Sequence, residues 1–349
     1  MKLKAIEQGI SQKISQMRNS LYIVPNLKKI AGGPITRINL FKNTFLKNGG
    51  EIITEGNKLK SIFKSRDLCY VESSTNRIGI VDVLPLFFIK FRSKKVIVFI
   101  RDIYIELFPE DYRGFRKKIT YYLNKLSNFY LTWVSTSMVF PTPEMGEVFF
   151  KKNNFSPKRP YSDLPPGTYG ITENVPLPDF SKKLGILYLG SIDYKNSGFE
   201  AFVAFSKKYA ENYNFFVLSG AKNIDEMIQD STIIASKIPR AEISQFIRNR
   251  NIAYALHTRP RNMYDDLTFP IKVFDFLSFQ LPFFSEKHIP LKHLLSNEYP
   301  LFASFQNIDQ IHQKMEDIGV DEYKDLLRSL KNIAIKNTYD KRYQKLLEQ

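Results

Sequence analysis

The chain alternates two kinds of apolar segment. Short runs dense in β-branched and aromatic residues stand at 20–24 (SLYIV), 67–71 (DLCYV), 96–100 (VIVFI), 131–134 (LTWV), 186–189 (ILYL), 215–218 (FFVL), 232–235 and 252–256 (IAYAL). Runs of this length and composition predict strands, buried on both faces where they are unbroken. Between them apolar residues recur every three or four positions, the period of a helix with one buried face. Ile35, Ile38, Phe41 and Phe45 make one such stripe, and Ile243, Phe246 and Ile247 another. Helices are also expected at 198–209 and 272–279, and a helical tail over 321–349. Residues 1–18 read as a polar helix or arm, and 300–302 as a last short strand. Strands alternating with helices imply mostly parallel sheets covered on both sides. The Pro-rich, polar stretch 151–181 interrupts the pattern and places a linker near 176–183. The expectation is an α/β protein of two Rossmann-like, doubly wound domains with a cleft between them, a preferred place for ligands. The domains would span 1–178 and 184–322, followed by a terminal helix over 323–349.

One helical segment is unusual. Over 113–130 the stripe holds Phe115, Ile119, Tyr122, Leu123, Leu126, Phe129 and Tyr130, with Arg113, Arg116, Lys117, Lys118 and Lys125 between them. Such a face is expected to pack on a sheet with its lysines in water. The same composition suits a helix lying on an anionic membrane surface.

Composition narrows the classes. The chain has 349 residues, room for two domains, and a formal net charge of +16. The charge is uneven: residues 1–178 carry 28 Lys+Arg against 14 Asp+Glu, and the rest 23 against 21. The basic first half would attract polyanions such as nucleic acid, anionic lipid or a phosphate-bearing acceptor. The single cysteine, Cys69, excludes an internal disulfide. The four histidines lack zinc-ligand spacing, so no metal is expected. No apolar stretch is long enough to span a bilayer, and the N-terminus lacks the apolar core of a signal peptide. A cytoplasmic protein is expected, able to rest on the inner face of a membrane.

Candidate chemistry gathers in two places. The first is 264–284 (YDDLTFPIKVFDFLSFQLPFF). Asp265 and Asp266 sit in a polar loop, Pro270 near a first helical turn, and 281–284 reads as a buried strand. A helix start attracts anions through its free N–H groups and dipole, and Lys272 adds a full charge. Asp275 follows on nearly the same face. The pair suits a ligand with both phosphate and hydroxyls; it could equally be a plain surface ion pair. The second place is the carboxyl end of the 96–100 strand, where Arg101 and Asp102 follow directly. Ligands of open α/β sheets bind beyond such ends. Asp102 is therefore the candidate catalytic or acceptor-binding carboxylate, or else a cap on the next turn. Gly32-Gly33 after the first strand permits close approach to a ligand or simply a tight turn.

Residues 184–349 resemble the C-terminal, donor-binding domain of GT-B glycosyltransferases, nearest to those that build bacterial cell-surface polysaccharides. The resemblance is carried by ILYLGSI (186–192), FFVLSG (215–220), IPRAEISQFIRNRNIAYAL (238–256) and FPIKVFDFLSFQLPFF (269–284). In the first half it rests on GGPITR, VFIRD and PTPEMG, which carry Gly32, Gly33, Arg101 and Glu144 to the acceptor side. The resemblance implies a nucleotide-sugar donor, UDP- or GDP-linked, with no metal or other cofactor. The acceptor would be a surface glycan, plausibly on a lipid carrier. By position Lys272 would neutralise the diphosphate, Asp275 would hold the ribose, and Gly190, Ser191 and Lys195 would line the phosphate. Ile238 would flank the base, with Pro270 and Asp266 completing the donor side. The chain departs from the pattern at Leu267, where an acid is usual, at Asp275 for Glu, and at Gln280 for Gly. The stereochemical outcome is left open. Arg259 and Arg261 could contact an acidic sugar or the diphosphate, or equally stand in solvent. An epimerase-like enzyme of the same fold would want a histidine, and the first half has none. A nucleic-acid-binding protein would gather its charge in a recognised module, and none is found, so nucleic acid is not an expected partner.

Overall fold

The computed structural model describes residues 19–25, 27, 32–54, 61–72, 80–156, 160–171, 175–193, 196–221, 224, 228 and 230–349. The arm expected at 1–18 lies outside them. The chain divides into two compact units: Met1–Gly167 with Tyr339–Gln349, and Thr168–Thr338.

The first unit is built on β1 (Ser20–Val24), β2 (Glu51–Thr54), β3 (Arg66–Glu72), β4 (Ser93–Phe99), β5 (Ser137–Phe140) and β6 (Tyr161–Asp163). Their order is β2-β1-β3-β4-β5-β6, and every pairing is parallel. One side of the sheet is sealed by aromatics: Tyr22, Phe41, Phe45 and Tyr70 pack ring to ring, and Tyr343 of the final helix Tyr339–Glu348 meets Phe45 at 4.8 Å. The second unit contains β7 (Leu184–Leu189), β8 (Tyr213–Leu218), β9 (Ile233–Ser236), β10 (Ile252–His257) and β11 (Phe283–Ser285), in the order β11-β10-β7-β8-β9 and again all parallel. Its core runs through the centre of this sheet and the helix Ile271–Phe279, whose last seven residues are all buried. That helix stops at Gln280, which adopts φ 52° where the related pattern has glycine, and Leu281-Pro282 lead straight into β11. Two doubly wound α/β units are what the alternating pattern required.

Several expectations are corrected. The run 131–134 is no strand but the last turn of the helix Phe115–Val134, and the strand comes just after it, as β5. Leu131 and Val134 continue the inner face of that helix, three residues apart, so the helical period overrides their β propensity. The same helix turns its apolar stripe outward: Phe115, Ile119, Tyr122, Leu126 and Phe129 are exposed, while Asn124, Ser127 and Asn128 are buried. Asn124 and Asn128 donate to the buried Glu106 carboxylate, which gives the inner face a polar anchor. The tail 321–349 is two helices, Val320–Lys336 and Tyr339–Glu348, of which only the second belongs to the first unit. The two compact units meet along the chain at Gly167/Thr168. Phe302 makes only an isolated bridge to Ser285. The helix Ile80–Arg92 carries Pro85 inside it, a residue that masks a helix in the sequence pattern.

Candidate functional site

In the second unit the strand order reverses between β7 and β10. The connections from these two strands lead to opposite sides, and the carboxyl ends open a crevice there. Gly190 follows β7 with φ 125°, and its N–H donates to the Leu218 carbonyl at 2.9 Å. Lys272, in the first turn of the helix Ile271–Phe279, lies over it: a β-carbon on Gly190 would stand 3.6 Å from Lys272 Cε and 3.7 Å from Nζ. Nζ is also 4.9 Å from the centroid of the Tyr188 ring, a cation–π distance. Pro270 caps this helix in an extended conformation, so the helix opens toward the crevice with no donor spent on its cap residue.

From β10 come His257, Thr258 and Arg259. Arg259 reaches Asp265 with an N–O distance of 2.8 Å, and Asn262 donates to the same carboxylate. Burial pushes the Asp265 carboxyl up, and Arg259 opposes that. Burial, and next the nearby Arg259 guanidinium, bring Lys272 down to about 8, with Asp265 pulling the other way. His257 is buried with Nδ1 3.0 Å from the Ser285 hydroxyl at the end of β11. Burial first, then Lys272, His288 and Arg259, hold its pKa well below the usual histidine range. Lys272 beyond β7 and Arg259 beyond β10 thus bring two cations to the ends of the strands at which the order reverses, beside the neutral His257. Repulsion between them is relieved by an anion seated against both.

The other expected residues fall elsewhere. Ser191 stays beside Gly190, its hydroxyl donating to Asp193 and its carbonyl accepting from Tyr188 at 2.8 Å. Lys195 lies outside the described residues. Asp266 pairs with Arg261 at 2.9 Å and accepts the Ile289 N–H at 3.1 Å. Asp265 is the loop acid that meets Arg259. Asp275 does not join Lys272; it is buried, paired with Arg240 and 3.2 Å from the Tyr169 hydroxyl. Ile238 is half-buried just beyond β9. In the first unit, Gly32-Gly33, Arg101-Asp102 and Glu144 follow the carboxyl ends of β1, β4 and β5. Asp102 accepts the Tyr104 N–H at 2.7 Å. Glu144 sits in the first turn of the helix Pro143–Asn153, which Thr142 caps. Arg259 is the residue whose place the sequence left open; its signal is a cation two residues beyond a central strand. Among the described residues no group of three His, Cys, Asp or Glu side chains is placed to hold a metal ion. Nor is any helix among them long and apolar enough to cross a membrane.

Two Rossmann-like units of this size are the make-up of the GT-B fold. Solved structures agree. An alpha-glucosyltransferase in complex with UDP and a 13-mer DNA containing a HMU base is similar over 95% of this chain and 99% of its own, with TM-score 0.62 and 10% identity. WaaG, a glycosyltransferase involved in lipopolysaccharide biosynthesis, is similar over 94% and 98%, with TM-score 0.58 and 10% identity. The pneumococcal O-GlcNAc transferase GtfA, in complex with UDP and GlcNAc, is similar over 83% of this chain and 58% of its own, with TM-score 0.52 and 13% identity. By sequence, no protein-family model and no curated protein matches the chain.

Proposed function

We propose that the chain is a glycosyltransferase that takes a sugar from a UDP- or GDP-linked donor. The observation that carries this is the placing of Lys272 against Gly190 beyond β7, with Arg259 just beyond β10, the two strands between which the order of the second unit reverses. The leaving group of such a reaction is a nucleoside diphosphate. Its growing charge must be met by fixed cations and helix dipoles already in place, which is where electrostatic catalysis gains most. The opening of the Ile271–Phe279 helix and the two cations supply that without a metal. Asp275, held by Arg240 and Tyr169, supports the base and ribose side as a positioning carboxylate. In the first unit Asp102 is the acceptor-side carboxylate, with Gly32, Gly33, Arg101 and Glu144 around the acceptor. A surface glycan on a lipid carrier suits the basic first half.

The test is thermal stability in UDP, GDP, ADP and CMP, for wild type and Lys272→Met. A ligand at a hundredfold excess over its Kd stabilises the folded state by about 2.7 kcal/mol. One diphosphate should raise the melting temperature, and Lys272→Met should remove that rise. If no nucleotide shifts the wild type, the reading fails.

A further inference from the structure

The helix Phe115–Val134 is inside out for a water-facing helix. Its exposed apolar residues Phe115, Ile119, Tyr122, Leu126, Phe129 and Trp133 are spaced four, three, four, three and four apart, one stripe along the whole length. Phe115 is 82% exposed, Tyr122 67% and Leu126 64%. The polar residues that should face water, Asn124 and Asn128, are instead committed to buried Glu106. The helix Ile80–Arg92 widens the patch with Phe87 and Phe91, and Phe87 stacks on Trp133 with centroids 5.8 Å apart. The Tyr130 hydroxyl donates to the Val83 carbonyl and ties the two helices together. Apolar surface gathered on this scale marks an interaction site.

Charge says what the face meets. Between Phe115 and Val134 there is no Asp or Glu, while Arg116, Lys117, Lys118 and Lys125 are interleaved. Lys90 reaches the Trp133 ring at 3.9 Å, and the one acid of its helix, Asp82, is buried. Glu110 and Asp111 stay in the preceding turn, Pro109–Tyr112. A second copy of the chain would bring these cations against themselves. An anionic lipid surface matches both features: hydrocarbon and glycerol for the aromatics, phosphates for the cations. We propose that these two helices form a face that lies on an anionic membrane surface. The stripe from Phe115 to Trp133 sinks below the headgroups, and Arg116, Lys117, Lys118 and Lys90 meet the phosphates. The inference stands apart from the donor site.

Trp133 is the only tryptophan and lies within the patch, so its fluorescence reports on it alone. Vesicles of equal parts phosphatidylcholine and phosphatidylglycerol should shift its emission to the blue and carry the protein up a flotation gradient; phosphatidylcholine alone should do neither. Leu126→Asp with Phe129→Asp should abolish both effects while leaving the melting temperature and any nucleotide shift unchanged. Lys117→Ala with Lys118→Ala should weaken binding roughly tenfold or more. The proposal is overturned if wild type ignores anionic vesicles, or if the Asp variant floats undiminished. It is also overturned if the face holds a dimer that the Asp variant splits, or if duplex DNA rather than vesicles shifts Trp133.

Discussion

A β-carbon on Gly198 would fall 2.0 Å from the carbonyl oxygen of Thr258. Gly198, with φ 70°, caps the helix Phe199–Lys208 that follows β7, and Thr258 directly follows β10. These are the two strands at which the order reverses. Only a glycine lets the start of one helix rest on the backbone that delivers Arg259.

Gly198→Ala should therefore cost about 2–4 kcal/mol, from a strained φ and from overpacking against main chain that has nowhere to go. Part of that cost displaces Thr258 and Arg259, so stabilisation by nucleotide should fall as well. Gly220→Ala is the control: no atom stands within 4 Å of its β-carbon, and the change should stay within about 0.5 kcal/mol. Urea unfolding of both variants decides it, and equal stabilities would show that the Gly198 contact relaxes freely.

Lys272 gives a pH signature with two opposite signs. Its folded value of about 8 lies below the ordinary 10.5. Between those values the unfolded chain binds the extra proton, so stability without ligand should rise with pH through this window. Lys272→Met should lack that rise and be the more stable protein below pH 8. A bound diphosphate needs the charged form, so affinity should fall as pH passes 8, by about tenfold per unit at the limit. Lys272→Arg should keep its affinity there, since a guanidinium stays charged. Nucleotide titrations across the window test this; a flat profile in the wild type would take Lys272 off the phosphate.

The sequence showed Lys272 but not its partner. A basic residue in the first turn of an apolar helix after proline is a local signal, and so is a run such as 252–256. Arg259 stays open in the sequence because it lies thirteen positions before Lys272 across an irregular loop, whose path no local pattern fixes. Asp266 and Asp275 illustrate the same limit: their types suit a ligand, but only the fold shows what holds their oxygens, Ile289 and Arg261 for the first and Arg240 and Tyr169 for the second. The helix Phe115–Val134 shows another. Its period was plain from sequence, but period cannot tell which face looks inward. That was set by Glu106, which recruits Asn124 and Asn128.

The most deeply buried ion pair in the first unit makes the last prediction. Arg37, on the helix Gly33–Lys47, lies 2.5 Å from the carboxylate of Glu72 at the end of β3, with both side chains almost wholly buried. The Tyr22 hydroxyl donates to the same carboxylate at 2.7 Å, and the guanidinium sits 3.9 Å from the centroid of Phe99. Removing one charge strands the other where water cannot reach it, so Glu72→Ala should cost about 3–5 kcal/mol. Arg37→Met alone should be comparably harmful, because Glu72 then keeps only tyrosine donors. Arg37→Met with Glu72→Met removes both charges and fills the space with apolar atoms. It should be far more stable than the sum of the single losses implies, by about 2–3 kcal/mol of coupling. A double-mutant cycle by urea unfolding measures this directly. If the single effects simply add, the two charges do not depend on each other, and the fold at the β3 end is held by the surrounding aromatic rings alone.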